Sequence, residues 1–145
     1  MIFNWLFKLF KRLQIAVFRR SQGKSMAFMR GVPVLLLTTT GRHTQKQQTT
    51  PLMYIRDGED YVITASNNGR PRHPSWLYNL QASPQVTIEV PGKTLEVIAA
   101  VATPAEREPL WPQLVARAPF FDGYQKATSR PIPMVILHVQ HHDRS

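Results

Sequence analysis

The chain has 145 residues, 43% of them apolar and 19% charged, with no cysteine and a formal charge of +9. That length fits one domain with a true core; the composition excludes wholesale disorder, and the lack of cysteine excludes disulfides, thiolate nucleophiles and Cys-based zinc sites. The charge is lopsided: the first 56 residues carry ten Lys and Arg and no acidic residue, whereas the other 89 carry eight basic and nine acidic ones, so one end is suited to an anionic surface.

The amino terminus reads as an amphipathic helix. At ~100° per residue, Ile2, Trp5, Leu6, Leu9, Phe10, Leu13, Ala16 and Val17 share one face, and Asn4, Lys8, Lys11, Arg12 and Arg19 share the other. Phe7, Ile15 and Phe18 stray toward the polar side. Lys8, Lys11 and Arg12 interrupt the apolar run too early for a membrane-spanning helix, which needs roughly 20 residues. No basic residue precedes the run and no small-residue cleavage site follows it, so it is a poor signal peptide. Two readings stay open: a helix docked on its own domain or on a second subunit, and an interfacial helix lying in a membrane surface. In the second reading its aromatics are inserted and Lys8, Lys11, Arg12, Arg19, Arg20 and Lys24 face headgroups. Nucleic acid is not expected, because no helix-turn-helix, zinc finger or RNP-like strand accompanies the charge.

After a connector from Ser21 to Gly31, the pattern turns extended. Val34 to Thr40 is an apolar, β-forming run that fits a strand buried on both sides. Thr49 to Arg56 and Tyr61 to Ser66 read as two more strands around the hairpin signal Asp57-Gly58. Asn67-Asn68-Gly69 makes a turn. His73-Pro74-Ser75-Trp76 opens a short helix, with Pro74 in its first turn. Val86 to Val90 and Thr94 to Val101 flank the turn Pro91-Gly92-Lys93. Thr103-Pro104-Ala105-Glu106 is a capping box opening a helix. A loop or short helix from Phe120 to Lys126 leads to a last strand, Pro133 to Val139. Six strands, two to four helices and no βαβ alternation predict a mainly β (α+β) antiparallel barrel with helical insertions. The expected organisation is a basic amphipathic helix over 1–24, a barrel over 32–139 and a polar tail over 140–145.

The chain lacks a hydrolytic toolkit. No G-x-S-x-G elbow exists, carboxylates are few, and Glu106 and Glu108 suit a helix's first turn. His43, His73, His138, His141 and His142 show no metal-ligand spacing, so no metal is expected. A bound organic cofactor is the more economical source of reactivity. Three segments offer polar groups to an anionic cofactor. Thr38 to Thr44, followed by Gln48 to Met53, brings hydroxyls, a guanidinium and a glycine-freed backbone, though a Thr-rich strand and turn needs no ligand. Thr64 to Gly69 has side chains small enough for a flat ring to approach the main chain, or is a plain turn. Arg70 to Asn79 sets two arginines before a helix amino terminus, where orphan N–H groups favour anions, while Trp76 also reads as ordinary core.

Taken together, Pro33 to Arg42, Thr44, Thr50-Pro51-Leu52, Ile55 to Gly58, Ala65-Ser66-Asn67 with Gly69, His73-Pro74 with Trp76, Asn79-Leu80 and Leu110 to Leu114 resemble the deazaflavin-dependent nitroreductase family. Thr128-Ser129-Arg130 and Ile132 to Ile136 extend the likeness, which covers residues 32–139. The resemblance implies a split β-barrel of the flavin-binding type, coenzyme F420 as cofactor (FMN the lesser alternative), and hydride transfer to a quinone or nitroaromatic acceptor. It assigns Arg42, His43, Thr44 and Gln48 to the coenzyme's phosphate and tail, and Thr49, Thr50, Pro51, Leu52 and Met53 to its border. Thr64, Ala65, Ser66 and Asn67 approach the ring, and Ser75, Trp76, Leu77, Tyr78 and Asn79 close over it. Phe121 and Tyr124 fall on a lid near the acceptor, where Tyr124 or water protonates the product.

The family commonly reads Gly-Arg-Lys-Thr-Gly-x-x-Arg where this chain has Gly41-Arg-His-Thr-Gln-Lys-Gln-Gln48. Two cations become His43 and Gln48 and the second glycine becomes Gln45, leaving Lys46, Arg70 and Arg72 as candidate replacement charges. Phe121 and Ala118 stand where aromatic hydroxyls are common, which implies a more apolar acceptor site. An amino-terminal membrane-associated segment also occurs in some members, which favours the interfacial helix and a cytoplasmic protein held on the inner face of the cell membrane. Two other readings belong to different classes: a non-catalytic carrier of a flavin-like cofactor, and a membrane-surface protein whose barrel holds an apolar ligand.

Overall fold

The computed structural model describes residues 2–23 and 28–140, without the side chains of Ile2, Phe3, Asn4 and Phe7. Lys24 and the tail histidines His141 and His142 lie outside the described residues. In chain order the elements are α1 (Ile2–Arg20), β1 (Phe28–Met29), β2 (Val32–Thr40), β3 (Gln47–Met53), β4 (Ile55–Asp57), β5 (Asp60–Thr64), α2 (Ser75–Ala82), β6 (Gln85–Val90), β7 (Lys93–Val101), α3 (Pro104–Arg117), α4 (Phe120–Ala127) and β8 (Met134–Val139). A 3-10 turn at Asn67–Gly69 precedes α2.

All pairings among the described strands are antiparallel, in the order β1-β2-β6-β7-β8-β5-β4, with β3 also paired to β2. The curled sheet is a split barrel, as expected, but its described residues form eight strands rather than six. Part of the difference lies in Thr49 to Arg56, predicted as one strand. The chain changes partners at Tyr54, whose N–H bonds to the Pro33 carbonyl at 3.0 Å; β3 before it pairs with β2 and β4 after it pairs with β5. The rest is β1, two residues inside the segment read as a connector. The predicted hairpin at Asp57-Gly58 forms, with Asp57 opposite Asp60. Pro74 caps α2 from outside rather than entering its first turn, and the segment after Pro119 is helical.

Burial explains the apolar runs. Leu35 and Leu37 point into the barrel with Tyr61, Ile63, Val135 and Leu137, while Trp76, Leu77 and Leu80 of α2 pack onto the same core. Alternate residues face out: Val62, Met134 and Ile136 meet Leu110 and Leu114 of α3 and Phe121 of α4. Leu36 meets Phe18 of α1. Strands β2, β5 and β8 are therefore covered on both faces, which a continuous apolar run requires. The capping box forms in full: the Thr103 hydroxyl accepts from Glu106 N at 3.2 Å and the Glu106 carboxylate accepts from Thr103 N at 2.9 Å.

Helix α1 packs on the barrel by the face opposite its apolar stripe. Lys11, Gln14, Ile15 and Phe18, spaced as one helical face, turn inward, while Trp5, Leu6, Leu9, Phe10 and Leu13 are 48–65% exposed. Phe28 of β1, 62% exposed, adds to the outward apolar surface. The helix is pinned near its end: Arg19 donates to both carboxylate oxygens of Glu89 at 3.0 and 2.9 Å, and Gly92 N reaches the Gln22 carbonyl.

Candidate active site

A cleft of about 800 Å³ opens between β3, the end of β5 with its following turn, the start of α2, α4 and the inner face of α1. Among the described residues its polar lining includes Lys11, Arg70, Arg72 and His73 and no carboxylate. Such a donor set suits a ligand with negative charge, and the volume is in the range of cofactor sites.

One wall is β3, where Thr50 to Met53 all line the cleft and Gln48 lies at its far end. Opposite, Thr64, Ser66 and Asn67 line it from the turn after β5. That turn holds a conformation side chains rarely adopt: Asn67, Asn68 and Gly69 all have positive φ (47°, 56° and 75°). At Gly69 a Cβ would sit 3.1 Å from both the Ala127 Cβ and the Tyr124 carbonyl oxygen, so α4 packs directly on the turn.

Arg130 clamps it. Its guanidinium donates to the carbonyls of Ala65 (3.1 Å), Ser66 (2.8 Å) and Arg70 (2.9 Å). A guanidinium has only donors, so His73 Nδ1, 2.9 Å from Arg130 Nη1, accepts and the ring is neutral there. Burial, and then the nearby Arg130 charge, push the His73 pKa below its ordinary value. Arg130 is in turn placed by the Gln125 side chain, which donates to its carbonyl and accepts from Arg107 and from Ile132 N.

Asn79 organises the other end. It is 2% exposed and all four of its hydrogen-bonding positions are used. Its amide donates to Thr39 Oγ1 and Gln48 Oε1, both at 3.2 Å, and its carbonyl oxygen accepts from Arg42 N (3.1 Å) and Arg42 Nη1 (3.2 Å). The Arg42 guanidinium also lies 5.0 Å from the Tyr78 ring centre. The loop after β2 is tight: Gly41 N bonds to the Lys46 carbonyl at 2.7 Å, and Gln45 takes a left-handed φ of 61°. Gln45 thus keeps the backbone geometry that a glycine would hold at less cost.

Of the residues singled out from sequence, Gln48, Thr50, Pro51, Leu52, Met53, Thr64, Ser66, Asn67, Ser75, Trp76, Phe121 and Tyr124 come together on the cleft. Arg42, His43 and Thr44 are exposed on the neighbouring loop and do not line it. Thr49 is bonded to Thr38, hydroxyl to hydroxyl at 2.8 Å. Ala65 and Leu77 belong to the barrel core, Asn79 lies behind the wall, and Tyr78 is 40% exposed. Phe120, Phe121 and Tyr124 form an aromatic cluster on α4, with ring centres 5.0–6.0 Å apart. Sequence reasoning did not foresee the contribution of Phe10, Lys11 and Gln14 of α1 and Met29 of β1. Only the strays Ile15 and Phe18, apolar on the polar side, hinted that this side of α1 is covered.

A family model described as F420H(2)-dependent quinone reductase matches residues 10–139. A Mycobacterium tuberculosis H37Rv protein named as an F420H(2)-dependent quinone reductase is 43% identical over 131 residues, 87% of each chain. A solved F420-H2 dependent reductase is 36% identical with a TM-score of 0.68, covering 73% of this chain and 94% of that one. A second solved structure, described as a domain-swapped dimer, is 29% identical with a TM-score of 0.70, covering 95% of this chain and all of the other.

Proposed function

The chain belongs to the F420H(2)-dependent quinone reductase family, and from that premise we propose where coenzyme and acceptor bind and where the enzyme works. It is an oxidoreductase with coenzyme F420 as cofactor and a quinone as acceptor. When bound, the reduced coenzyme supplies a hydride. In our reading the cleft holds both partners. The main chain of Thr64 to Asn67, fixed by Arg130, borders the ring from one side and Thr50 to Met53 from the other, with Thr49 held against Thr38 next to them. Trp76 and Ser75 close the α2 end, ahead of the Leu77, Tyr78 and Asn79 positions that fix α2 itself. Arg70 and Arg72 take the anionic tail, with Arg42, His43, Thr44, Lys46 and Gln48 beyond them. The single observation carrying this reading is the pair Arg70 and Arg72 on a cleft with no carboxylate among its described lining residues, beside the small-residue wall of Thr64 to Asn67.

The acceptor lies toward α4 and α1. Phe120 and Phe121 exclude water there, and Tyr124 offers a hydroxyl to an acceptor oxygen. These apolar walls favour lipophilic quinones and accept planar nitroaromatics. Phe10 and Met29 belong both to the cleft and to the exposed apolar surface of α1 and β1, which supports loading from a lipid surface. No described helix is long and apolar enough to cross a membrane. In our reading the segment over 1–24, with its exposed stripe of Trp5, Leu6, Leu9, Phe10 and Leu13, acts as an interfacial anchor for the 32–139 barrel, with 140–145 as a polar tail. It would hold the enzyme on the inner face of the cell membrane, Lys8, Arg12 and Arg20 adding roughly 1 kcal/mol each on anionic lipid.

The test is titration of coenzyme F420 and of FMN with purified protein, followed by menadione reduction and cosedimentation with phosphatidylglycerol vesicles. Arg72→Ala is expected to raise the Kd for F420 about tenfold, more at low salt; an unchanged Kd removes the cleft assignment. Leu6→Glu, Leu9→Glu and Leu13→Glu together are expected to abolish vesicle binding while menadione reduction continues in solution. Undiminished vesicle binding, or loss only of a dimer in sedimentation velocity, removes the membrane assignment.

A further inference from the structure

Lys11 belongs by sequence to the cationic side of an amphipathic helix, yet the fold turns it toward the barrel. It is half-buried between α1 and β3, and its ammonium donates to the Thr50 hydroxyl at 3.2 Å. Both residues line the cleft, with Phe10, Gln14 and Met29 beside Lys11. We propose that Lys11 is the proton donor in quinone reduction, delivering a proton to the acceptor oxygen that hydride arrival leaves negatively charged. The assignment rests on the cleft being the reaction site.

The chemistry requires such a group. A quinone becomes a hydroquinone by gaining a hydride, which brings two electrons and one proton, and one further proton on oxygen. The Lys11 N–H bond breaks, the O–H bond forms, and the neutral amine regains a proton from water after product leaves. Other lining groups serve less well. Arg70 and Arg72 do not release protons at working pH, and His73 is neutral with Nδ1 engaged by Arg130. Tyr124 has no charge to set against the developing oxyanion. The Lys11 ammonium does, in a cleft with no carboxylate among its described lining residues. Burial lowers its pKa from the ordinary lysine value, toward the range in which an acid gives up its proton readily. The Phe18 contact with Leu36 and the Arg19–Glu89 fork keep α1 seated, so the ammonium is held in place before substrate arrives.

Lys11→Met and Lys11→Arg separate this role from a structural or anchoring one. Both are expected to bind F420 within about threefold of the parent, and both to slow single-turnover menadione reduction at least about 100-fold. Arginine keeps the charge but cannot release the proton. In the parent, the rate should fall as pH rises through the Lys11 pKa, and that limb should vanish in Lys11→Met. A readout free of turnover is NMR titration of the ¹³C-methylated protein, in which Lys11 should titrate below the ordinary lysine value. Lys11→Arg at parental rate, a 100-fold loss in Tyr124→Phe instead, or Lys11 titrating at the ordinary lysine value would overturn the proposal while leaving the cleft assignment intact. The Arg72→Ala titration judges that assignment separately.

Discussion

Replacing Asn79 with leucine should remove about 2–3 kcal/mol of stability, and the magnitude follows from its four hydrogen bonds. Each is worth about 1 kcal/mol net, so their loss costs about 4. A leucine, with the same branched four-heavy-atom skeleton, at a 2% exposed position returns about 1–2 through apolar burial. With a urea m-value of about 2 kcal/mol/M for a chain this long, the midpoint should fall by about 1–1.5 M with the slope unchanged. A double-mutant cycle with Thr39→Val sharpens the test. Thr39 is 2% exposed and its hydroxyl accepts from Asn79, so the double variant should lose about 1 kcal/mol less than the sum of the single losses. A midpoint within 0.3 M (about 0.6 kcal/mol) of the parent for Asn79→Leu, or strict additivity with Thr39→Val, would refute the idea that this amide ties β2, β3, α2 and the 41–46 loop together.

Arg130→Met should free the carbonyls of Ala65, Ser66 and Arg70, giving faster amide exchange across 67–70 and F420 affinity weaker by about tenfold or more; unchanged exchange would show that the turn holds itself. Gly69→Ala should cost about 1–3 kcal/mol, since its φ of +75° and the 3.1 Å approach of α4 both oppose a Cβ; a thermal midpoint within a degree of the parent would contradict this. Because burial, then Arg130, depresses the His73 pKa, the unfolded state takes up the proton first. Stability is in place above pH ~6.5 and falls as pH drops from there through the folded-state value. The parent's melting temperature should fall more steeply than that of His73→Gln between pH 7 and 5, and parallel curves would rule the histidine out.

What the sequence disclosed depended on whether the cause was local. The Thr103–Glu106 capping box and the Asp57-Gly58 hairpin are set by neighbours within a few residues, and both form where expected. The double-sided burial of Leu35, Leu36 and Leu37 was legible from their uninterrupted apolarity. The corner at Tyr54 was not, because a hydrogen bond to distant Pro33 divides an otherwise continuous strand pattern. Nor could periodicity orient α1. It separates two faces but cannot say which meets the barrel; shape complementarity with Leu36 and the Arg19–Glu89 pair selected the basic one. That hid Lys11 among presumed headgroup contacts. The β3 wall and the turn after β5 drew notice through their clustered polar and small residues, whereas Arg130 was quoted only as part of the likeness and gains its role from three carbonyls brought to it by folding.

The seat of Phe18 on Leu36 has a practical consequence for anyone preparing the protein. Trimming the first twenty residues is a customary cure for a sticky terminus, and here it would strip away Trp5, Leu9 and Leu13. It would equally bare a leucine that the helix now keeps dry, and remove one side of the cleft with it. Shortening the chain would exchange one greasy surface for another, while polar replacements on the outward stripe would leave the roof in place.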